Sequence, residues 1–110
     1  MENNSPFLLI KRLETHLNGV LSALDIFDLP AGERKIITLL KSDLVDARLD
    51  VRDYELSETR DEQIKKATEA KKRLERLRKG ILAASEYNVF SAIDVAQLTA
   101  QLEQIIENIE

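Results

Sequence analysis

Apolar residues recur along this chain at alternating steps of three and four, in four separate segments. This spacing places apolar side chains on one side of an α-helix, where they pack against neighbouring helices. The first segment contains Ile10, Leu13, Leu17, Val20, Leu24 and Phe27, and the second contains Ile37, Leu40, Leu44, Ala47, Val51 and Tyr54. The third contains Ala67, Ala70, Leu74, Leu77, Ile81 and Ala84, and the fourth contains Val95, Leu98, Leu102, Ile105 and Ile109. The pattern predicts four packed helices.

Capping and turn residues mark the ends of these segments. Ser5 before Pro6 predicts a hydroxyl N-cap followed by proline at the first helical position. The first helix should end before Pro30, because the residue preceding a proline is pushed out of the helical conformation. Ser91 and Asp94 have the spacing of a capping box, with Asp in place of Glu. The predicted helices span about 6–28, 31–56, 60–86 and 92–109.

The boundary between the second and third helices is the least defined, because residues 33–79 contain no Gly or Pro. One long helix is the alternative. It would bury the polar side chains of Glu58, Asp61, Lys65 and Thr68, which is costly. Thr59 and Glu62 have the spacing of a capping box. We therefore expect a bend near residues 57–59.

The segments also align with one another as antiparallel neighbours. Leu17 would face Leu44, Leu44 would face Leu74, and Leu74 would face Leu102. The midpoints of these pairs fall near residues 30, 59 and 88, close to the turn signals. The sequence predicts an all-α, antiparallel up-down-up-down four-helix bundle with short loops. The flanking charges should then pair as Glu14–Arg48, Asp28–Arg34, Asp50–Lys66 and Asp43–Arg73.

Composition agrees with this fold. A chain of 110 residues is long enough for one domain with a single core. It is 44% hydrophobic but only 5% aromatic, and it has three Gly and two Pro, too few for the turns of an all-β fold. It has no cysteine, which excludes disulfides and thiol chemistry. We see no export signal and no membrane span, and expect a cytoplasmic protein.

The stretch from Ile64 to Leu82 contains eight Lys or Arg residues and two Glu. By the heptad assignment, Lys65, Lys66, Lys71, Lys72, Arg73, Arg78 and Lys79 form a one-sided basic stripe, opposite the carboxylates. Lys65, Lys72 and Lys79 point outward and are the candidate polyanion contacts. A solvated helix face is the favoured interpretation, because the net charge is −4 and no aromatic residue interleaves with the lysines. A nucleic-acid-associated protein using this stripe is the alternative.

The only histidine, His16, lies in the stretch Thr15–Gly19, "THLNG". This stretch resembles the His-x-x-Lys-Gly block of histidine-phosphotransfer domains, which are also four-helix bundles. The resemblance covers five residues, and it would make His16 a phosphoryl acceptor. Here glycine follows the histidine by three residues instead of four, and Asn18, not a lysine, stands directly before the glycine. The helix alignment instead predicts a structural His16, partly buried and facing helix four near Gln101.

No residue pattern indicates an enzyme, a cofactor or a metal. Carboxylate-bridged metal bundles use Glu-x-x-His, but Leu13 stands three residues before His16. The chain also lacks a cysteine cluster, a Gly-rich phosphate loop and a nucleophile with a matching base. We therefore expect a non-enzymatic protein without a cofactor.

The remaining candidate site is apolar and lies on the outside of helix two. We define its outer face by Leu39, Val45, Leu49, Arg52 and Leu56. Ile26 adds a further outward apolar position. A row of apolar residues at helical spacing on an outward side suggests a second interface. The sequence predicts an adaptor or regulatory module that acts by protein–protein association, with a homodimer as the expected assembly and no membrane contact.

Overall fold

Four α-helices account for most of the chain. The structure, a computed structural model, describes residues 5–24, 29–87 and 90–109. Its helices are α1 (Pro6–Leu24), α2 (Ala31–Glu55), α3 (Arg60–Ala84) and α4 (Ala92–Glu107), with a short 3₁₀ turn at Ser85–Tyr87. The described residues contain no β-strand. The predicted all-α class is confirmed. The first helix was predicted to extend to residue 28, and residues 25–28 lie outside the described residues.

Each helix packs against the preceding one, and α4 closes the bundle against α1. Helices joined by short connections pack as antiparallel neighbours, so the arrangement is up-down-up-down. All six predicted seam residues of α2 and all six of α3 are buried. In α4, Leu98, Leu102 and Ile105 are buried, as is Ile109 just beyond the helix, whereas Val95 is half-buried.

The seam of α1 departs from its predicted course. Leu21 is fully buried, whereas Val20 and Leu24 are half-buried against the core. A straight helix turns about 20° away from a strict seven-residue repeat with each heptad, so the buried position moves from residue 20 to residue 21. Phe27, the last predicted seam residue, lies outside the described residues.

The bend between α2 and α3 is formed as expected, so the single long helix is wrong. Thr59 is the N-cap of α3, and its hydroxyl accepts a 3.1 Å hydrogen bond from the N–H of Glu62. The Glu62 carboxylate accepts from the N–H of Glu58 at 3.0 Å, one residue before the usual capping-box partner. Two backbone donors at the bend are thereby satisfied.

The cap of α4 is only half of the predicted box. The Ser91 hydroxyl accepts a 3.1 Å hydrogen bond from the N–H of Asp94. The carboxylate of Asp94 does not complete the box but lies 3.6 Å from Nε2 of His16 on α1. The aspartate is therefore a contact between helices, and the sequence interpretation missed this role.

The start of α1 is capped by a different helix. The N–H of Phe7 donates to the carboxylate of Glu55, at the end of α2, over 3.0 Å. The Ser5 hydroxyl donates to the same carboxylate oxygen at 2.6 Å. The prediction that the Ser5 hydroxyl caps α1 is therefore wrong. The carboxylate of Glu55 caps this terminus instead, and its negative charge suits the positive end of the helix dipole.

One of the four predicted flanking ion pairs is confirmed: Arg48 lies 3.2 Å from Glu14, between α1 and α2. The pair Asp28–Arg34 lies partly outside the described residues. The two pairs predicted between α2 and α3 are wrong. Lys66 instead pairs with Glu69 on its own helix at 3.7 Å.

The α2–α3 flank is held by arginines. Arg73 reaches both Asp46 and Asp50, at 3.2 and 3.1 Å, and Arg76 reaches Asp43 at 3.8 Å. The long guanidinium side chain with several donors spans two carboxylates one helical turn apart, which a facing-pair rule does not anticipate.

Candidate interaction surfaces

The outer face of α2 is solvent-exposed in the structure. Its leucines Leu39, Leu49 and Leu56 are 54%, 37% and 68% exposed, and Val45 is 43% exposed. The side chain of Arg52 is 53% exposed. The six buried seam residues of the same helix lie on its other side. Ile26, expected nearby, lies outside the described residues.

Leu39 stands apart from the rest of the outer face. At 3.6 residues per turn, the ten residues between Leu39 and Leu49 turn its side chain about 80° around the helix. Leu39 lines an open groove between α2 and α3, together with Ile36, Gly80 and Ala83. The continuous apolar row is therefore Val45, Leu49 and Leu56.

The groove beside Leu39 was not predicted. Gly80 has no side chain and Ala83 is small, so the two helices approach closely and leave a shallow depression that Leu40 also lines. The Asp43–Arg76 ion pair borders it. A glycine inside a helical pattern without a turn nearby was the available signal for this close approach.

Charges of opposite sign flank the apolar row. Arg48 directly precedes Leu49, and Lys41 lies seven residues before Arg48; Asp46 directly follows Val45, and Asp53 lies seven residues after Asp46. By helix geometry the two cations therefore lie along one edge of the row, which also carries Glu55, and the two aspartates lie along the other. The Arg52 guanidinium lies 3.6 Å from Asp53.

Lys65, Lys72 and Lys79 form an exposed line along α3, which we call the basic row. Among the described residues, none of the three is in an ion pair. The prediction of a one-sided basic stripe is nevertheless wrong. Lys66 pairs with Glu69 and Arg78 pairs with Glu75, so basic and acidic residues lie side by side.

Helical rotation explains the mixed surface. Glu69 and Glu75 are three residues from Lys72 in either direction, which places each about 60° from it around the helix. They therefore flank the central lysine of the basic row on both sides. A polyanion approaching the row would meet these carboxylates too.

His16 faces α4, as the helix alignment predicted. Its Nδ1 lies 3.0 Å from the side-chain oxygen of Gln101, and its Nε2 lies 3.6 Å from Asp94. The side chain is 24% exposed. Both ring nitrogens thus have polar neighbours, whereas a phosphoryl acceptor needs one nitrogen open to a donor. The arrangement is that of a contact between α1 and α4.

Other exposed apolar side chains were not singled out from the sequence. They are Leu8, Ile64, Leu82, Tyr87 and Ile93. They are distributed over α1, α3, α4 and the 3₁₀ turn, and single exposed apolar residues are normal on protein surfaces. We therefore keep the row on α2 as the candidate site.

No family model, curated protein or solved structure matches this chain. None of the helices in the described ranges has the length and apolar character needed to cross a bilayer. Within residues 5–24, 29–87 and 90–109, no three His, Asp or Glu side chains are grouped so that they could hold a metal ion.

Proposed function

We propose that this chain is a non-enzymatic association module that binds protein through the outer face of α2, with a second copy of itself as the partner. The observation that carries the proposal is the exposed row of Val45, Leu49 and Leu56. Fully burying a large apolar side chain contributes about 1.5–3 kcal/mol, and exposure to water forfeits that gain. A two-fold dimer uses the same patch twice, so one row on each copy is enough.

The proposal places this association in the cytoplasm. A chain without cysteine is compatible with a reducing compartment. Two other functions have weaker support. Polyanion binding by the basic row would have to overcome the neighbouring Glu69 and Glu75, and phosphotransfer by His16 would have to displace its contacts with Gln101 and Asp94.

The decisive measurement is the molar mass in solution by light scattering across a concentration series. We expect the wild type to move from monomer to dimer in the micromolar range, because one helix paired with one helix makes a small interface. Leu49→Glu puts two like charges at the contact and should keep the chain monomeric. Circular dichroism should show that the variant remains helical, since Leu49 is outside the core.

Leu82→Glu is the matched control, because Leu82 is exposed to a similar degree but lies on α3. It should dimerise like the wild type. A wild type that stays monomeric at high micromolar concentration would refute self-association. A Leu49→Glu variant that still dimerises would move the interface to another surface.

A further inference from the structure

We infer that the second copy binds in parallel, with the two α2 helices side by side and pointing in the same direction. This inference rests on the proposed function, because it specifies how the same outer face is used. It is carried by the order of apolar and charged residues along α2, together with their exposure.

The apolar row has the spacing of a two-helix seam. Ser42, Val45, Leu49, Arg52 and Leu56 follow one another at steps of three and four, and all are exposed. In coiled-coil terms Ser42, Leu49 and Leu56 take one seam position, and Val45 and Arg52 take the other. Leu56 is the C-cap residue of α2, and its N–H still bonds to the carbonyl of Arg52. α2 therefore carries two seams: the buried one inside the bundle, and this exposed one.

The charges flanking the exposed seam determine the orientation. In a parallel pair, each residue before the seam meets the residue five positions further along the other helix. Lys41 then faces Asp46 of the second copy, and Arg48 faces Asp53 of the second copy. The two-fold axis repeats both contacts, giving four opposite-charge contacts along the dimer.

An antiparallel pair centred on Leu49 would bring like edges together. Asp46 would face Asp53 of the second copy, and Arg48 would approach Arg48 of the second copy. Lys41 would face Glu55 of the second copy, but that carboxylate already caps α1. Like charges across an interface disfavour that arrangement. Opposite flanking charges therefore favour the parallel dimer.

The existing ion pairs permit these contacts. Arg48 already contacts Glu14, and Asp46 already contacts Arg73. A guanidinium has five N–H donors and a carboxylate has two acceptor oxygens, so each can bind a second partner. The side chain of Asp53 is 41% exposed beside Arg52. Arg52 is the charged member of the seam and would meet Arg52 of the second copy in the parallel dimer, where the neighbouring Asp53 of each copy reduces the repulsion. Polar seam residues lower stability but specify alignment.

A charge reversal distinguishes the two orientations by the sign of its effect. Asp53→Lys places a lysine opposite Arg48 in the parallel dimer but opposite Asp46 in the antiparallel dimer. We expect the dimer dissociation constant to rise about tenfold, since two repeated contacts become repulsive. Glu107→Lys, on α4, changes the net charge equally and should leave the dissociation constant unchanged.

Disulfide trapping gives a second, independent readout, because the chain has no cysteine of its own. Leu49→Cys should cross-link in either orientation. Leu56→Cys should cross-link to itself only in the parallel dimer, because a disulfide requires Cα atoms within about 7 Å. In the antiparallel dimer the two Leu56 residues would be about 21 Å apart along the helices.

The outcomes separate this inference from the proposed function. Self-cross-linking at position 56 together with weaker association of Asp53→Lys supports the parallel dimer. Tighter association of Asp53→Lys, or cross-linking of Leu56→Cys only to Ser42→Cys, would overturn the orientation but leave self-association in place. A wild-type chain that is monomeric throughout would overturn both.

Discussion

Gly80 of α3 lies against Leu40 of α2, so closely that a β-carbon added to the glycine would come within 2.9 Å of the leucine Cδ2 atom. Leu40 is only 2% exposed and lines the groove beside Gly80, so its methyl group must shift towards that groove or strain the core. We expect Gly80→Ala to lower the free energy of unfolding by about 1 kcal/mol, because overpacking exceeds the gain in helix propensity. Urea denaturation measures this change.

Gly19→Ala is the control for this substitution. Gly19 is also helical, and a β-carbon added there would have nothing within 4 Å. Replacing it should raise the free energy of unfolding by about 0.5–1 kcal/mol through helix propensity alone. If both variants gained stability equally, the close contact at Gly80 would be disproved.

Glu55 should matter more than an exposed carboxylate usually does. Its side chain accepts hydrogen bonds from Ser5 and from the N–H of Phe7. Loss of a helix cap costs about 0.5–2 kcal/mol, so we expect Glu55→Ala to destabilise the chain by about 1 kcal/mol. Hydrogen exchange should become faster in the first turn of α1. Glu55→Gln keeps an acceptor oxygen and should cost less; equal losses would contradict the capping role.

Ala47 on α2 and Ala70 on α3 are fully buried, and the helix alignment places them opposite each other. Replacing either with leucine should overpack the core and lower the free energy of unfolding by about 1–3 kcal/mol. Thermal denaturation followed by circular dichroism would measure the loss. Ala100→Leu, at an exposed position of α4, should change little. Unchanged stability in both core variants would refute the alignment.

The basic row should not bind nucleic acid strongly. Because Glu69 and Glu75 flank Lys72, we expect little binding of duplex DNA or RNA in fluorescence anisotropy, even at low salt. Binding through phosphates would fall steeply with salt, because it releases counterions. Detectable binding that shows this dependence and is lost when Lys65, Lys72 and Lys79 are all changed to Glu would contradict the expectation.

His16 should act as a structural residue. His16→Gln keeps a polar group near Gln101 and Asp94, so we expect a loss of stability below about 1 kcal/mol and an unchanged molar mass in solution. Incubation of the wild type with acetyl phosphate should leave no phosphohistidine detectable by mass spectrometry. A stable phosphorylated form that is absent from His16→Gln would establish the phosphotransfer alternative.

The periodic positions of the core could be predicted because each depends on its own helix and one neighbour. Leu44, Ala70 and Leu102 are buried as the spacing requires. The drift at Leu21 could not be predicted, because it depends on how closely α1 follows a straight or supercoiled path. The spacing of apolar residues in the sequence does not specify which of these paths the helix follows.

Side-chain contacts between helices were harder to predict than burial. A long side chain such as that of Arg73 can reach several carboxylates, and the sequence does not specify which ones it contacts. The carboxylate of Asp94 contacts His16 on α1 instead of capping its own helix. In the candidate interface, the exposure of Leu49 could be predicted from its position opposite the core. That Leu39 lies apart from Val45, Leu49 and Leu56 follows only when the rotation of the helix between these positions is considered.

The His16–Gln101 contact joins residues that are 85 positions apart in the chain. Forming it requires nearly the whole chain to close on itself, whereas the α2–α3 pair closes across a bend of a few residues. Contacts between residues far apart in the chain have a larger entropic cost of loop closure, and they form late in folding. We therefore expect the contacts between α1 and α4 to form last in folding. They should also be the first part of the bundle to open when heat or denaturant destabilises the protein.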